Sequence, residues 1–271
     1  MIKQAARTVS VLVVSTACAF YCVAALAQSN PNGSEKTVAK PDWEVSVGFG
    51  VAAYPTFIGS KSQRTLPLPI IDATYKETYF ISTFDGIGAK TKFNGLTLSA
   101  AIGLDFAARD SKNAKNTRLA GLTNVKEAPA LILKADYETG PFFATATYSN
   151  RLGDKKTNGG SLALEGGIGG PINSQLSLSG GFTARTVDTK FANNLLSISA
   201  ADSITSGLPE FKAKSGLLEA GGFVQAAYSI DKHWAIKGRL TATQLQKDFA
   251  KSPIVEKKNQ SAVNLLVVYT F

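Results

Sequence analysis

QSAVNLLVVYTF, residues 260–271, alternates between two kinds of side chain from Val263 to its end. A period of two, with β-branched and aromatic residues enriched, predicts a β-strand whose faces meet different surroundings. One face carries Val263, Leu265, Val267, Tyr269 and Phe271, and the other carries Asn264, Leu266, Val268 and Thr270.

The same alternation recurs through residues 42–271, which show no break in composition and are predicted to form one domain. Most of the alternating segments exceed the roughly 5–6 residues of a typical soluble strand and suit the roughly 9–11 residues of a tilted membrane strand. A secreted β-sandwich is the soluble alternative. The segments are 43–54, 64–75, 78–91, 95–108, 125–138, 141–152, 159–171, 175–187, 215–230, 233–247 and 260–271.

The number of segments is odd, whereas bacterial single-chain barrels have an even number of strands. The discrepancy falls between residues 55 and 95, where Pro67 and Pro69 weaken the second segment and Asp85-Gly86 can break the third. We therefore predict an all-β, up-and-down antiparallel transmembrane β-barrel of twelve strands, with ten strands as the alternative.

The connections alternate in length, which is typical of outer-membrane barrels with short periplasmic turns and long outer loops. The long connections, near 109–124, 152–159, 188–214 and 247–259, are rich in basic residues, among them Arg151 and Arg185. We predict lipopolysaccharide contacts there, with a merely solvated surface as the alternative. Nucleic acid is excluded as a partner because the basic residues are spread over separate loops without a recognition motif. The predicted contacts are Arg109, Lys112, Arg118, Lys155, Lys156, Lys257 and Lys258.

Residues 1–27 have the features of a secretory signal peptide, with a basic start, an apolar stretch and small residues at its end. Ala25 and Ala27 form an A-x-A cleavage site, so the mature chain is predicted to begin at Gln28. An uncleaved membrane anchor is the alternative. Polar residues 28–41 are predicted to form a flexible periplasmic tail. These features predict export to the outer membrane of a Gram-negative bacterium.

The composition restricts the chemistry that the folded body can perform. The chain has one His and two Cys, and Cys18 and Cys22 both lie in the signal peptide. A zinc site of three His, a Cys₄ site or a Cys–His pair cannot be assembled from these residues. His233 lies beside Trp234 just after a short turn, where an interfacial role is expected. We predict no catalytic residues, no metal site and no cofactor.

Charged residues of both signs lie on faces of the strands that are predicted to point into the barrel. The acidic residues Glu165, Glu219 and Asp105 occupy polar faces, as do Lys134, Lys237 and Arg239. A structural network of charges in the lumen is predicted, and a catalytic carboxylate pair is the alternative.

The chain ends on an aromatic residue, Phe271, preceded by Tyr269. Bacterial outer-membrane barrels often end in this way. Tyr269 and Phe271 are therefore predicted to form the signal that the barrel-assembly machinery reads.

The body resembles the MipA/OmpV family of outer-membrane proteins along most of its length. One departure is Ala108-Arg109, where that family often has Gly-Arg. The matching pieces, in order, are Tyr54-Pro55, Gly59-Ser60, Leu66-Pro67-Leu68-Pro69-Ile70-Ile71-Asp72, Gly86-Ile87-Gly88, Leu119-Ala120-Gly121-Leu122, Ser206-Gly207-Leu208-Pro209-Glu210-Phe211, Ser252-Pro253-Ile254-Val255 and Tyr269-Thr270-Phe271.

The resemblance implies an outer-membrane barrel. It also implies a non-enzymatic scaffold that brings a lytic transglycosylase and a murein synthase together, or a surface adhesin. A narrow channel for small solutes is the further alternative, and an outer-membrane hydrolase is disfavoured by the position of the single His.

Overall fold

A computed structural model describes residues 41–112, 117–153, 158–246 and 248–271. The predicted signal peptide, its cleavage residues Ala25, Ala27 and Gln28, and nearly all of the predicted tail lie outside the described residues. Lys155 and Lys156, predicted to contact lipopolysaccharide, also lie outside them.

Twelve antiparallel strands, each paired with its neighbour in the sequence, form one closed barrel, which confirms the predicted fold and strand count. The last strand pairs with the first, from Ser46–Thr270 to Ala53–Val263. The strands are β1 (Trp43–Pro55), β2 (Gln63–Tyr75), β3 (Tyr79–Ser82), β4 (Gly86–Phe93), β5 (Leu96–Asp105), β6 (Ala128–Thr139), β7 (Phe142–Arg151), β8 (Gly160–Pro171), β9 (Leu176–Val187), β10 (Gly216–Ser229), β11 (Trp234–Leu245) and β12 (Asn259–Thr270).

The predicted third segment, 78–91, is in fact two strands, β3 and β4, which separate at Asp85-Gly86 as the sequence suggested. Gly86 has a φ of 85°, and a Cβ there would overlap the carbonyl oxygen of Ile102. Only glycine satisfies both conditions. By contrast, β2 continues through Pro67 and Pro69 without a register shift against β1.

The barrel has an apolar outer face and an inner face that carries most of its buried polar and charged side chains, the pattern of a membrane-spanning barrel. Phe182 on β9, for example, is 62% exposed on the outer face, whereas the adjacent Thr183 is buried on the lumen side. None of the helices in the described part of the chain is long and apolar enough to cross a membrane.

The two ends of the barrel differ in the length of their connections. One end, which we call the short-turn rim, has two- to four-residue turns and both ends of the barrel sequence. The other end, the long-loop rim, has the connections 106–127, 188–215 and 246–258 as well as the shorter 56–62. We assign the short-turn rim to the periplasm because short turns face it in bacterial barrels.

The long connection after β9 is helical in part, although the sequence predicted only a polar loop. Helix α1 spans Thr189–Leu196 and helix α2 spans Ala200–Ser206. Asp188 and Ser199 cap them by accepting hydrogen bonds from the amides of Phe191 and Asp202. Each helix is only about two turns long, too short for its period to stand out in the sequence, and burial of its apolar face stabilises it.

Candidate functional site

The long-loop rim is covered by apolar side chains that pack on one another. Helix α1 contributes Phe191, Leu195 and Leu196 to a buried cluster with residues from the ends of β10 and β11. Ser252, from the connection between β11 and β12, donates a hydrogen bond of 2.7 Å to the carbonyl oxygen of Leu196. Two connections that are distant in sequence are therefore joined above the lumen.

A second buried cluster draws one or two side chains from each of four connections. Its members are Phe57, Leu119, Leu122, Ile198 and Ile254. We call the interlocked residues 56–62, 106–112, 117–127, 188–215 and 248–258 the loop cap. Since their apolar side chains are shielded from water, the connections form a small folded layer at this end of the barrel.

Arg109 lies inside the loop cap, which corrects its prediction as a lipopolysaccharide contact. The residue is only 4% exposed. Its guanidinium donates to the carbonyl oxygens of Thr123 at 3.0 Å and Ser197 at 2.8 Å. It also lies 3.8 Å from the carboxylate of Asp202. A buried cation requires partners of this kind, and the loop cap supplies all of them.

Asp202, at the start of α2, is the anionic partner of Arg109. Thr123 donates to it from both its amide and its hydroxyl, each at 2.7 Å. Burial raises the pKa of Asp202, but the bonds from Thr123 and Ser199 and the charge of Arg109 outweigh it. The pKa of Asp202 therefore lies below its ordinary value, and its ionised form fastens the connection 106–127 to α2.

The other described residues of the predicted lipopolysaccharide set lie at the surface. Lys112, Lys257 and Lys258 are exposed. Arg118 is also exposed, but its guanidinium donates to the carbonyl oxygen of Pro253, with one bond at 2.8 Å, and so links two connections of the loop cap.

Below the loop cap, the lumen contains ion pairs between side chains of different strands. Arg239 on β11 donates to Glu165 on β8 at 2.6 Å and lies 3.8 Å above the ring of Phe223. Arg185 on β9 donates to Glu219 on β10, which also accepts a bond of 2.8 Å from Thr243. The predicted structural network is thus confirmed for Arg239, Glu165 and Glu219.

Two further sets of ion pairs involve the strands β5 to β7. The ammonium of Lys134 lies 3.7 Å from Asp85 and 3.5 Å from Asp136. Arg151 lies 4.0 Å from Asp105. Arg151 and Arg185 had been assigned to the outer loops from sequence. Each occupies one of the last positions of its strand and points inward, so both belong to the lumen.

The chemistry open to this network is limited. The carboxylates of Glu165, Glu219 and Asp105 each lie beside an arginine, an arrangement of structural ion pairs. Within the described ranges, no group of three or more His, Cys, Asp or Glu residues could hold a metal ion.

The short-turn rim carries an aromatic cluster around the end of the chain. Tyr269 stacks on His233 with ring centres 5.4 Å apart and meets Trp234 and Phe271 edge-on, each at 4.9 Å. The Nδ1 atom of His233 lies 2.8 Å from the carbonyl oxygen of Thr270. The predicted position of His233 beside a rim tryptophan is confirmed, and the cluster resembles an interfacial aromatic girdle.

Asp231 shapes the turn that leads into this cluster. Its carboxylate accepts hydrogen bonds of 2.8 Å from the amides of His233 and Trp234. The bonds from Trp234 and His233 lower the pKa of Asp231 below its ordinary value. The turn therefore keeps its acidic group ionised next to the aromatic rings.

A closed barrel with an apolar exterior, a charged lumen and an aromatic rim defines the class of bacterial outer-membrane β-barrel proteins. Residues 47–271 match the family described as "MltA-interacting protein MipA", and the chain belongs to that family. The family resemblance noted from the sequence is thereby confirmed.

No curated protein matches the chain. Among solved structures, an outer membrane channel from Pseudomonas putida F1 is similar with a TM-score of 0.43 and 10% identity, over 89% of this chain and 100% of that one. OmpT of Vibrio cholerae is similar with a TM-score of 0.39 and 8% identity, over 85% and 97% of the two chains. The NanC porin is similar with a TM-score of 0.40 and 8% identity, over 84% of this chain and 100% of that one.

Removing Arg239 should destabilise the barrel more than removing the whole ion pair. Arg239→Met leaves the carboxylate of Glu165 buried without its main partner, which costs about 3–5 kcal/mol of unfolding free energy. The double variant Arg239→Met/Glu165→Gln should recover most of that loss. Urea unfolding in lipid vesicles, followed by tryptophan fluorescence, measures both. A single variant with the wild-type urea midpoint would contradict this role of the pair.

The loop cap should loosen in acid because of Asp202. A carboxylate with a lowered folded pKa stabilises fully above its unfolded pKa of about 3.9, and the contribution is lost as the pH falls through the lower folded value. We expect channel openings in planar bilayers to be rare at neutral pH and frequent below about pH 4. Asp202→Asn should open often at neutral pH. If this variant opens as rarely as the wild type at neutral pH, Asp202 does not fasten the loop cap.

Proposed function

We propose that this protein is a non-enzymatic anchor in the outer membrane that holds murein-synthesising and murein-hydrolysing enzymes at its periplasmic rim. The observation that carries the proposal is the loop cap, because packed connections at one rim and ion pairs within the lumen are poorly suited to solute passage. The family description, which names an interaction with MltA, supports the same reading.

The surface available for such enzymes is the short-turn rim. Two of its turns, 172–175 and 230–233, are neighbours, since the amide of Ser229 donates to the carbonyl oxygen of Gln175 at 2.8 Å. Each carries an exposed isoleucine, Ile172 and Ile230. Two exposed apolar side chains on adjacent turns, flanked by the charged Asp231, form a small mixed surface of the kind that binds other proteins.

The double variant Ile172→Ser/Ile230→Ser tests this surface. We expect it to reduce the recovery of a lytic transglycosylase and a murein synthase with the cross-linked barrel, because it removes apolar contacts at the rim. Recovery is measured by mass spectrometry after pull-down from envelopes. The matched control is Ile204→Ser, which removes an isoleucine that is 85% exposed on the opposite rim. Unchanged recovery with the double variant would contradict the proposed surface.

The exposure of Ile204 favours one alternative, a surface adhesin. Ile204 lies on α2, and Lys212 and Lys214 nearby in the sequence are also exposed. If the protein is an adhesin, Ile204→Ser should weaken attachment of whole cells to a surface, while the rim variant should not. The two proposals therefore predict opposite outcomes from the same pair of variants.

We further propose that Lys112, Arg118, Lys257 and Lys258 contact lipopolysaccharide phosphates. Exposed cations on the long-loop rim would form charge-assisted hydrogen bonds there. Lys155 and Lys156, in the same rim by sequence, belong to this proposal. Export through cleavage after Ala27 remains part of the proposal as well.

Deleting Phe271 should impair assembly more than it impairs the folded barrel. The residue is exposed, and its amide makes a single strand hydrogen bond of 3.0 Å to the carbonyl oxygen of Val45. We propose that the barrel-assembly machinery reads Tyr269 and Phe271. Deletion should lower the amount in the outer membrane and leave unfolded chain in the periplasm, as measured by fractionation and immunoblotting.

The matched control is Phe93→Ala, because Phe93 and Phe271 are equally exposed, at 73% each, on the same rim. It removes a similar ring that is not at the chain end. Equal losses for both variants would indicate a general need for rim aromatics instead of an assembly signal.

A further inference from the structure

The wall of the barrel is incomplete on one side. β2 spans Gln63–Tyr75, but its neighbour β3 is only four residues long and pairs with Asp72–Tyr75 alone. The half of β2 nearer the long-loop rim therefore has a partner strand on its β1 side and, among the described residues, none on the other.

Hydrogen bonds at Ile71 show which backbone groups face the gap. The amide of Ile71 donates to the Thr83 hydroxyl at 2.8 Å, and its carbonyl oxygen accepts from the amide of Thr83 at 3.0 Å. Backbone groups alternate in direction along a strand, and β2 has no register shift. Gln63, Thr65, Pro67 and Pro69 therefore present their backbone groups to the gap.

The other border of the gap is the end of β5. β4 pairs with β5 only as far as Ile102, and β5 continues to Asp105. Asp105 then accepts a bond of 2.8 Å from the amide of Ala107, which turns the chain into the barrel. The two missing strands correspond to a width of roughly 10 Å. We call this gap, bordered by 63–70, 83–85 and 103–105, the lateral notch.

The floor of the lateral notch is apolar. The inward side chains of Leu68 and Ile70 are buried in a cluster with Ala108, and Leu66 and Phe84 pack against it. Phe84 belongs to the connection between β3 and β4 at the base of the notch. Leu66 and Phe84, the partly exposed residues of this floor, offer hydrocarbon side chains to an object that enters the notch from outside the barrel.

The prolines make the edge of β2 unsuitable for another β-strand. Pro67 and Pro69 have no N–H group at two successive positions that face the notch, so an incoming strand would lack half of the ladder bonds at these two positions. Their presence also leaves carbonyl oxygens as the unpaired backbone groups there, which are tolerated better than unpaired N–H groups. An occupant that requires no backbone ladder suits this edge.

The height of the notch identifies the occupant. Pro67 and Pro69 pair with Val51 and Phe49 of β1, whose side chains are exposed on the lipid-facing belt. The notch therefore opens directly into the hydrocarbon layer around the barrel. We propose that an acyl chain of a lipid from the surrounding leaflet lies in the lateral notch, against Leu66 and Phe84.

Three matched Phe→Trp variants test the proposal in a background of Trp43→Phe/Trp234→Phe, which removes both native tryptophans. Phe84 lies on the notch floor, Phe182 faces lipid, and Phe143 lies on the lumen face against Phe223. Each variant is reconstituted in phosphatidylcholine vesicles with and without bromine on the acyl chains, and the loss of fluorescence is compared. Bromine quenches tryptophan only at short range.

We expect Phe84→Trp to lose at least about half as much fluorescence as Phe182→Trp and several-fold more than Phe143→Trp. Quenching of Phe84→Trp at the level of Phe143→Trp would overturn the proposal.

A second measurement uses the unaltered chain, so that it does not depend on the folding of the variants. Phosphatidylcholine with a photoreactive diazirine on its acyl chain is incorporated in the vesicles, and cross-linked residues are identified by mass spectrometry. We expect label on the inward-facing Leu66 and Phe84 but none on Ile132, which faces inward from the complete wall of β6. Label confined to outward-facing residues would overturn the proposal.

Discussion

The structure depends on one constraint: a peptide N–H or C=O group in hydrocarbon has no water to bond, so the chain must satisfy it internally. Closure of β1 on β12 removes the two open edges that a flat sheet would leave. This closure brings Trp234, Tyr269 and Phe271 together at the short-turn rim, because the last strand must end beside the first. It also fixes the inward and outward faces of all twelve strands, so that alternation in the sequence becomes a lipid-facing belt and a polar lumen.

A polar lumen of this size raises a second problem, because buried charges are costly unless they are paired. The pairs Arg239–Glu165, Arg185–Glu219 and Arg151–Asp105 solve it by placing each of these charges beside one of opposite sign. The loop cap continues the same arrangement upward through Arg109 and Asp202. Apolar clusters around α1 then shield these groups from outside water. The charged interior and the apolar cap thus stabilise each other.

At the lateral notch, backbone groups of β2 lack, within the described part of the chain, the partner strand that they have elsewhere in the barrel. β3 ends after four residues, and the edge of β2 left beside it carries Pro67 and Pro69 at positions whose N–H groups would otherwise be unpaired. From sequence, these prolines suggested only a weak strand. In the barrel they are compatible with a full-length strand, because β1 requires hydrogen bonds from the intervening residues alone. Pro67 and Pro69 therefore allow β2 to have an unpaired edge, and they mark the side of the barrel that opens towards lipid.

The sequence by itself determined the class of fold, the break at Asp85-Gly86, and the kinds of residue that line the lumen, because a period of two assigns each side chain to a face. It could not determine the partners, since Glu165 and Arg239 are 74 residues apart and meet only after closure. Nor could it separate Arg109, which is buried against Asp202, from the exposed Lys257, because both stand in polar connections. The helices of the loop cap were too short to predict from their own pattern. Only the tertiary structure, by burying one face of each connection against the others, decided which polar residues became internal anchors and which remained at the surface.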